Sequence, residues 1–279
     1  MLQFLVVLDG IEKIQAFAKL ITPVCEYNCA KKLIITLRED TMIIFRPADS
    51  VRLTNMFQLN IHPSEAFTSY LFEYDTGEDL SFEIKTEELE GLFCQQSDAT
   101  DKLSIGLKMF GNTPFLSVDV EPQEKNDVVK VEFKEEGGLQ PLVTPENVGD
   151  SLHVTFSDAE TLKNMLNSIR YLECKVVEFV ADNRGNVQFK AVGKQARAEI
   201  EICDLAFEIK SGDETIEMED GESMSAIVEV RAFVNFIRII ATSSQHIKVV
   251  VIDGIALRVF IERIEGFYTL YLMHNGSDM

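Results

Sequence analysis

SLHVTFSDAETLKNMLNSIRYL, residues 151–172, alternates polar and apolar residues over its first six positions and then repeats apolar residues at helical spacing. This pattern predicts one short strand followed directly by one amphipathic helix. The same unit is predicted at residues 1–21 and 225–241 and, more weakly, at 80–94, while most of the sequence between the units is predicted to be strand. Four such units in a chain rich in strands restrict the fold before any functional motif is considered.

The chain of 279 residues is long enough for two domains, and the order of predicted elements is the same in its two halves. Between the halves, residues 134–150 (KEEGGLQPLVTPENVGD) combine glycine, proline and acidic residues with a small apolar cluster. We therefore predict an N-terminal domain at 1–133, a connector at 134–150 and a C-terminal domain at 151–279. The repeated order indicates an internal duplication in which each domain contains two strand-helix units.

The net charge of −20 disfavours a protein that coats nucleic acid or an anionic membrane, because its long-range field repels polyanions. This charge is unevenly distributed along the sequence. The formal charges of the four predicted helices sum to about zero, so nearly all of the negative charge lies in strands and loops. The sequence thus predicts an acidic sheet layer that carries nearly neutral helices.

Three of the four predicted helices place basic residues on the side opposite their apolar stripe. These cations are Lys13 and Lys19 on the first helix, Lys163 and Arg170 on the third, and Arg231 and Arg238 on the fourth. The second helix differs, because Glu87, Glu88 and Glu90 make it acidic. Contacts from such helices to DNA would be directed at phosphates, would carry no base specificity and would be lost with salt.

The sequence offers no recognisable active site. The four histidines lie far apart and outside any metal-binding or nucleophile-orienting motif, and no glycine-rich phosphate loop is present. Cys25 and Cys29 lack a second pair at zinc-site spacing, and the five cysteines are predicted to be reduced thiols. We predict a non-enzymatic protein with no cofactor and no metal. Because neither a signal peptide nor a membrane span is recognisable, we also expect it to be soluble and intracellular.

The opening and the ending of the chain resemble those of a known family. The start MLQFLVVLDG, with its helix to Ile21 and a returning strand at 29–37, is similar to the opening of eukaryotic sliding clamps, and residues 228–273 resemble a clamp's last helix and closing strands. The replicative homotrimeric clamp, proliferating cell nuclear antigen, has an Asp-x-Ser-His-Val loop after its early hairpin, whereas residues 46–52 here read RPADSVR. The start, the length and the ending more closely resemble the Hus-type subunit of the heterotrimeric DNA-damage checkpoint clamp, the nine-one-one complex.

This resemblance implies an α+β sliding-clamp (DNA clamp) fold with two similar domains, antiparallel sheets outside, and four helices lining the inner face of a three-subunit ring. The six helix cations fall on positions that face duplex DNA in such rings, and the acidic second helix departs from the family pattern. A nuclear role in checkpoint signalling and DNA repair follows, with no membrane partner. The implied partners are two other clamp subunits, duplex DNA bound non-specifically, an ATP-driven clamp loader, and repair and signalling proteins.

Two further sets of residues follow from the resemblance. Clamp subunits contact each other through edge strands, which by order correspond to residues 115–121 and 196–203. The predicted interface residues are Phe115, Ser117, Asp119, Ala198, Ile200 and Ile202. Client peptides bind an apolar groove under the connector, where the predicted lining residues are Val51, Leu139, Leu142, Val143, Tyr271 and His274. Core packing is an equally supported role for Tyr271.

The sequence leaves two alternative functions open. One is a replicative homotrimeric processivity clamp, which shares the fold but assembles from identical subunits. The other is an acidic β-rich adaptor with no role on DNA, for which the helix cations are ordinary surface residues.

Overall fold

The computed structural model describes residues 2–28, 31–46, 55–74, 79–93, 100–111, 113–122, 125–134, 150–192, 197–211, 214–219, 221–240 and 246–274. The chain divides into two compact units. Unit 1 comprises residues 1–47, 58–141 and 263–267, and unit 2 comprises residues 48–57, 142–262 and 268–279. Each unit takes a short segment from the other half of the sequence, a feature that the predicted contiguous domains lack. Residues 135–149 of the predicted connector lie outside the described ranges, and its boundaries stay predictions.

The described residues of the first half contain ten strands and three helices. In chain order they are β1 (Leu2–Asp9), α1 (Ile11–Asn28), β2 (Lys32–Leu37), β3 (Met42–Phe45), β4 (Asn55–Ile61), α2 (Pro63–Ala66), β5 (Ser69–Tyr74), β6 (Leu80–Lys85), α3 (Thr86–Phe93), β7 (Lys102–Phe110), β8 (Thr113–Glu121), β9 (Lys125–Lys130) and β10 (Glu132–Lys134).

The described residues of the second half contain ten strands and two helices. They are β11 (Asp150–Phe156), α4 (Ala159–Tyr171), β12 (Val176–Asp182), β13 (Val187–Val192), β14 (Arg197–Ile202), β15 (Ala206–Ser211), β16 (Glu214–Thr215), β17 (Ser223–Glu229), α5 (Val230–Ile240), β18 (Ile247–Ile252), β19 (Ala256–Arg263) and β20 (Gly266–Met273).

The two units share one sheet topology. Unit 1 has strands in the order β5-β1-β7-β8-β9 and in the order β6-β2-β3-β4, with β10 beside β6. Unit 2 has strands in the order β15-β11-β18-β19-β20 and in the order β17-β12-β13-β14, with β16 beside β15. In unit 2, β11 therefore occupies the position that β1 has in unit 1, and β12 occupies the position of β2. The remaining strands correspond in the same order. The sheet orders agree with the internal duplication that the repeated sequence pattern indicates.

All four predicted strand-helix units are present, as β1–α1, β6–α3, β11–α4 and β17–α5. In the unit that opens the second half, Leu152, Val154 and Phe156 are buried on one side of the strand. Asp158 then caps α4, because its carboxylate accepts hydrogen bonds from the Glu160 N–H at 3.0 Å and the Thr161 N–H at 3.1 Å. Hydrogen bonds from the Thr161 hydroxyl, and next from the Glu160 N–H, hold the pKa of Asp158 below its usual value.

The first helix is longer than the sequence pattern predicts. The pattern predicts an end at Ile21, before Pro23, but α1 continues to Asn28. Val24 and Cys25 are buried beyond the proline, so the additional residues, about two turns of helix, extend the apolar face. The gain from that burial outweighs the roughly 3 kcal/mol that a proline costs inside a helix. The one-turn helix α2 was not predicted.

None of the described helices combines the length and the apolar character that crossing a membrane requires.

The predicted edge strand at 115–121 is not at the edge of its sheet. It is β8, which is hydrogen-bonded to β7 on one side and to β9 on the other. The sequence pattern predicted a single strand at 128–133, but this stretch divides between two sheets. Residues up to Lys130 belong to β9, which pairs antiparallel with β8. Glu132–Lys134 form β10, which pairs with β6 in the other sheet. The single strand at 128–133 was predicted wrongly, because the alternation of polar and apolar residues shows which face of a strand is apolar and does not show which strands pair.

Candidate nucleic-acid and assembly surfaces

The helices of unit 2 present three exposed arginines. Arg170 lies in the last turn of α4, and Arg231 and Arg238 lie seven residues apart on α5. All three are exposed, and none forms an ion pair within the described part of the chain. Their guanidinium groups are therefore available to phosphate oxygens, which accept two parallel hydrogen bonds from this fork-shaped donor.

The sides of α4 and α5 that face away from the arginines are apolar and buried, and this packing fixes the position of both helices. The fully buried residues are Leu162, Leu166 and Ile169 on α4 and Phe233, Phe236 and Ile237 on α5. The two helices pack against each other, and Phe236 also packs edge-on against Phe57 at a centroid distance of 5.8 Å. The predicted apolar stripes are thus present, although Met165 is only partly buried.

The lysines of the predicted DNA-facing set are less available than the arginines. Lys163 is half-buried and pairs with Glu160 at 3.1 Å, so part of its charge is neutralised. Lys13 is also half-buried, and its ammonium donates to the Phe67 carbonyl at 3.0 Å, which fixes it to its own unit. Lys19 is exposed on α1. The structure does not test DNA contact for any of the six cations.

The second long helix of unit 1, α3, is acidic on its exposed side. Leu89, Leu92 and Phe93 are buried, whereas Glu87 and Glu90 are exposed. Glu88 pairs with Lys85 at 3.0 Å, which offsets one of the three carboxylates. The exposed face of α3 therefore repels phosphate, as the sequence predicted for this helix.

One predicted edge strand is confirmed as an edge. Among the described strands, β14 lies at the end of its sheet, with Ala198, Ile200 and Ile202 half-buried on one face. In unit 1, β9 ends the five-stranded sheet among the described residues, and its Val128 is exposed. An edge strand carries unpaired backbone groups that a strand from another chain can bond.

The three interface residues predicted in unit 1 do not lie on that edge. Ser117 is fully buried within the sheet. The Phe115 ring packs edge-on against Phe110 at 5.2 Å, and the Asp119 carboxylate pairs with Lys108 at 3.4 Å. The contacts described for Phe115 and Asp119 are thus with residues of the same unit.

The predicted client groove is only partly described. Tyr271 is fully buried, and the Arg258 guanidinium lies 5.0 Å from its ring centroid. The His274 ring accepts a hydrogen bond from the Ile227 N–H at its Nδ1, at 3.1 Å. Val51, Leu139, Leu142 and Val143 lie outside the described residues, so the groove stays a prediction. Burial of Tyr271 favours the core-packing role that the sequence left open.

Sequence reasoning missed an apolar cluster near this position. Val250, Ile252 and Ala256 are buried together, with Ile255 and Met273 packed against them. A signal was available in IKVVVI at 247–252, where apolar residues occupy both faces of β18. Apolar residues on both faces of a strand predict burial on both faces, and Val250 and Ile252 are buried on one face of β18 and Val249 and Val251 on the other.

Basic side chains lie on the sheet face that carries His153. Burial, and next the nearby cations Lys248, Lys210 and Arg258, together lower the pKa of His153 to about 4, against an opposing effect of Glu208. The His153 ring is within 3.0 Å of the Ser151 hydroxyl through Nε2. We refer to Lys210, Lys248 and Arg258 as the basic sheet face.

Replacing His153 by glutamine should weaken the pH dependence of stability. The pKa of His153 is about 4 in the folded chain, against 6.5 for an ordinary histidine. The neutral ring therefore contributes stability that is fully present above pH 6.5 and is lost as the pH falls towards 4. Urea unfolding at several pH values in this window should show a shallower loss for His153→Gln than for the wild type. The same substitution at exposed His62 is the control, and an unchanged slope for His153→Gln would contradict the assignment.

Comparison with known proteins identifies the family and the fold. A family model described as "Hus1-like protein" matches residues 4–275. Among solved structures, a crystal structure of PCNA from Thermococcus kodakaraensis is similar with a TM-score of 0.66 and 12% sequence identity, over 98% of this chain and 100% of that chain. At that identity the structural match establishes the fold alone. No curated protein sequence matches the chain.

Proposed function

Because the chain belongs to the Hus1-like family and has the α+β fold of sliding clamps, it is a non-enzymatic DNA-clamp subunit, and we propose that its ring is the heterotrimeric checkpoint clamp. In this role it encircles duplex DNA at sites of damage together with two other clamp subunits. An ATP-driven loader places the ring, which then serves in the nucleus as a platform for repair and signalling proteins.

The family match over residues 4–275 is the observation that carries this proposal. The charge distribution supports it, since a chain of net charge −20 exposes three arginines on α4 and α5. A closed ring needs only weak phosphate contacts, because its topology keeps it on DNA. Encirclement therefore reconciles a strongly acidic chain with a function on DNA.

We propose that the ring closes through β9 of one subunit and β14 of another. Each of these strands ends its sheet among the described residues, so both can add a strand from a neighbouring chain. Ala198, Ile200 and Ile202 keep their proposed interface role on β14. On β9 the corresponding candidate is exposed Val128, in place of Phe115, Ser117 and Asp119 on β8.

The mass of the isolated chain in solution separates the heterotrimer from the replicative alternative. The chain has a mass of 31.5 kDa, so a homotrimeric clamp would have a mass of about 95 kDa, three times that value. We expect size-exclusion chromatography with light scattering to give a monomer or a poorly behaved species for the chain alone. Coexpression with the two other subunits of its ring should give a stable 1:1:1 complex. A stable homotrimer of the chain alone would contradict the proposal.

Changing Ile200 to glutamate should weaken assembly of the ring by roughly tenfold or more, because the interface would bury a carboxylate without a partner. Pull-down of the coexpressed subunits over a concentration series measures this loss. Phe207→Glu introduces the same charge at an exposed position on β15 of the same unit and should leave assembly unchanged. Equal behaviour of the two variants would argue against β14 as the interface.

A further inference from the structure

Tyr171, the last residue of α4, has the most exposed large hydrophobic side chain in the described part of the chain, at 82%. It follows the fully buried Leu162 by about two and a half helical turns, so the two side chains leave the helix on opposite sides. The two other tyrosines of the second half, Tyr268 and Tyr271, are fully buried. The ring of Tyr171 therefore lies where a molecule that approaches the exposed side of α4 would meet it.

The last turn of α4 is fixed on both sides of Tyr171. The Leu172 N–H donates a hydrogen bond to the Ile169 carbonyl at 3.1 Å, and the Ile169 side chain is fully buried. Cys174, just past the helix, is also buried. Binding through the Tyr171 ring would therefore require little ordering of the backbone.

Three cations lie at this end of the helix pair, because the end of α4 is beside the start of α5. The Val230 N–H at the start of α5 donates to the Lys175 carbonyl at 3.0 Å, and the two helices pack against each other. Arg231 follows Val230, and Arg170 precedes Tyr171. All three cations are exposed. We refer to Arg170, Tyr171, Lys175 and Arg231 as the Tyr171 helix end.

The carboxylates near the Tyr171 helix end do not cancel its cations. Glu173 is exposed, whereas Glu229 is half-buried and accepts a hydrogen bond from the Asn55 Nδ2 at 2.7 Å. Glu178, the next acidic residue along β12, lies across from Lys190 on β13. Three cations thus stand against one exposed carboxylate among the described residues of α4, α5 and the segment from α4 to β12. An anionic ligand would reduce the repulsion among the cations.

The surface of duplex DNA offers no good partner for the Tyr171 ring. Base faces are stacked inside a duplex, and a phosphate can engage only the hydroxyl group of a tyrosine. An unpaired base, in contrast, presents a flat face on which an aromatic ring stacks with little dependence on sequence. An exposed aromatic ring beside cations that bind phosphate is therefore typical of a surface for single-stranded nucleic acid.

We propose that the Tyr171 helix end binds an unpaired stretch of the DNA that the ring encircles, with Tyr171 stacked on a base and the three cations on phosphates of the same strand. The proposal rests on the clamp function, because it names the form of DNA that this subunit prefers. A ring with this contact should bind gapped DNA more tightly than intact duplex.

Fluorescence anisotropy of two labelled duplexes, one intact and one with a single-stranded gap of thymines, tests the proposal on the full chain in its assembled ring. The wild type should bind the gapped DNA more tightly. Tyr171→Ala should weaken binding of the gapped DNA by roughly fivefold or more and leave binding of the intact duplex unchanged, because only the gap offers a base to the ring. Tyr171→Phe should retain the preference, because stacking requires the ring and not the hydroxyl group. A 2-aminopurine base in the gap should lose fluorescence on binding to the wild type and not to Tyr171→Ala.

Phe110→Ala is the matched control, since it removes another exposed aromatic ring, on β7 of unit 1, and should leave both affinities unchanged. Three results would overturn the proposal: equal binding of the two DNAs by the wild type, an equal effect of Tyr171→Ala on both DNAs, or no effect of Tyr171→Ala on either. The second result would place the ring on duplex DNA, and the third would assign it to a protein partner.

Two further measurements separate the causes of a failure. Circular dichroism verifies that each variant is folded. Retention of the same rings on a circular plasmid is measured separately, so a ring that does not encircle DNA is distinguishable from one that encircles it without a preference for gaps.

Discussion

Reversing the charge of Arg170, Arg231 and Arg238 together should lower the affinity of the assembled ring for linear duplex DNA by about tenfold or more at moderate salt. These arginines are exposed and form no ion pair among the described residues, so phosphate is their natural partner. Each lost phosphate contact should also reduce the dependence of log affinity on log salt by about 0.9. Titrations of a fluorescent duplex at several salt concentrations measure both quantities.

The matched control changes three lysines on sheet strands of the same unit. Lys190, Lys210 and Lys248 lie on β13, β15 and β18, and their replacement by glutamate alters the net charge by the same amount. If DNA binding depended only on total charge, the two triple variants would lose affinity equally. We expect the lysine variant to retain most of the affinity and the salt dependence of the wild type. Unchanged affinity and salt dependence in the arginine variant would remove α4 and α5 from the DNA-binding surface.

Replacing Phe236 by alanine should destabilise unit 2 by about 3–5 kcal/mol. Phe236 is fully buried on α5 and packs edge-on against Phe57, so its loss leaves a cavity beneath the helix that carries Arg231 and Arg238. The midpoint of thermal unfolding should fall by roughly ten degrees or more. Circular dichroism and differential scanning calorimetry measure this change.

Phe207→Ala is the control for the same deletion at an exposed site. Phe207 lies on β15 with 40% of its surface exposed, so its removal should change the midpoint little. A cost below about 1 kcal/mol for Phe236→Ala would show that α5 is held by other contacts. The arginine positions on α5 would then not depend on this aromatic contact.

The strand-helix units and the faces of the helices could be predicted because they depend on local periodicity. Apolar residues such as Leu162 and Leu166 recur at helical spacing, and burying them leaves the intervening cations exposed. The duplication was visible in the order of elements for the same reason. The end of α1 was predicted wrongly, since the burial of Val24 and Cys25 by tertiary packing outweighs the local effect of Pro23.

Pairing between distant strands accounts for most of what the sequence did not reveal. The assignment of β8 as an edge strand was wrong because nothing in the sequence shows that β9 folds back along it. The bond from Lys13 to the Phe67 carbonyl joins residues far apart in the chain. The basic sheet face likewise exists only after β11, β15, β18 and β19 are in register. Four residues of the client groove lie outside the described ranges, and that site stays a prediction.

Retention on circular and linear DNA tests encirclement most directly. The ring would be assembled with its two other subunits, loaded by its clamp loader onto a nicked circular plasmid, and passed through gel filtration at a salt concentration that screens phosphate contacts. We predict that the ring stays with the circular plasmid and is lost once a restriction enzyme makes the plasmid linear. Equal retention on circular and linear DNA, or release from both, would contradict the account of this chain as a subunit of a ring that encircles DNA.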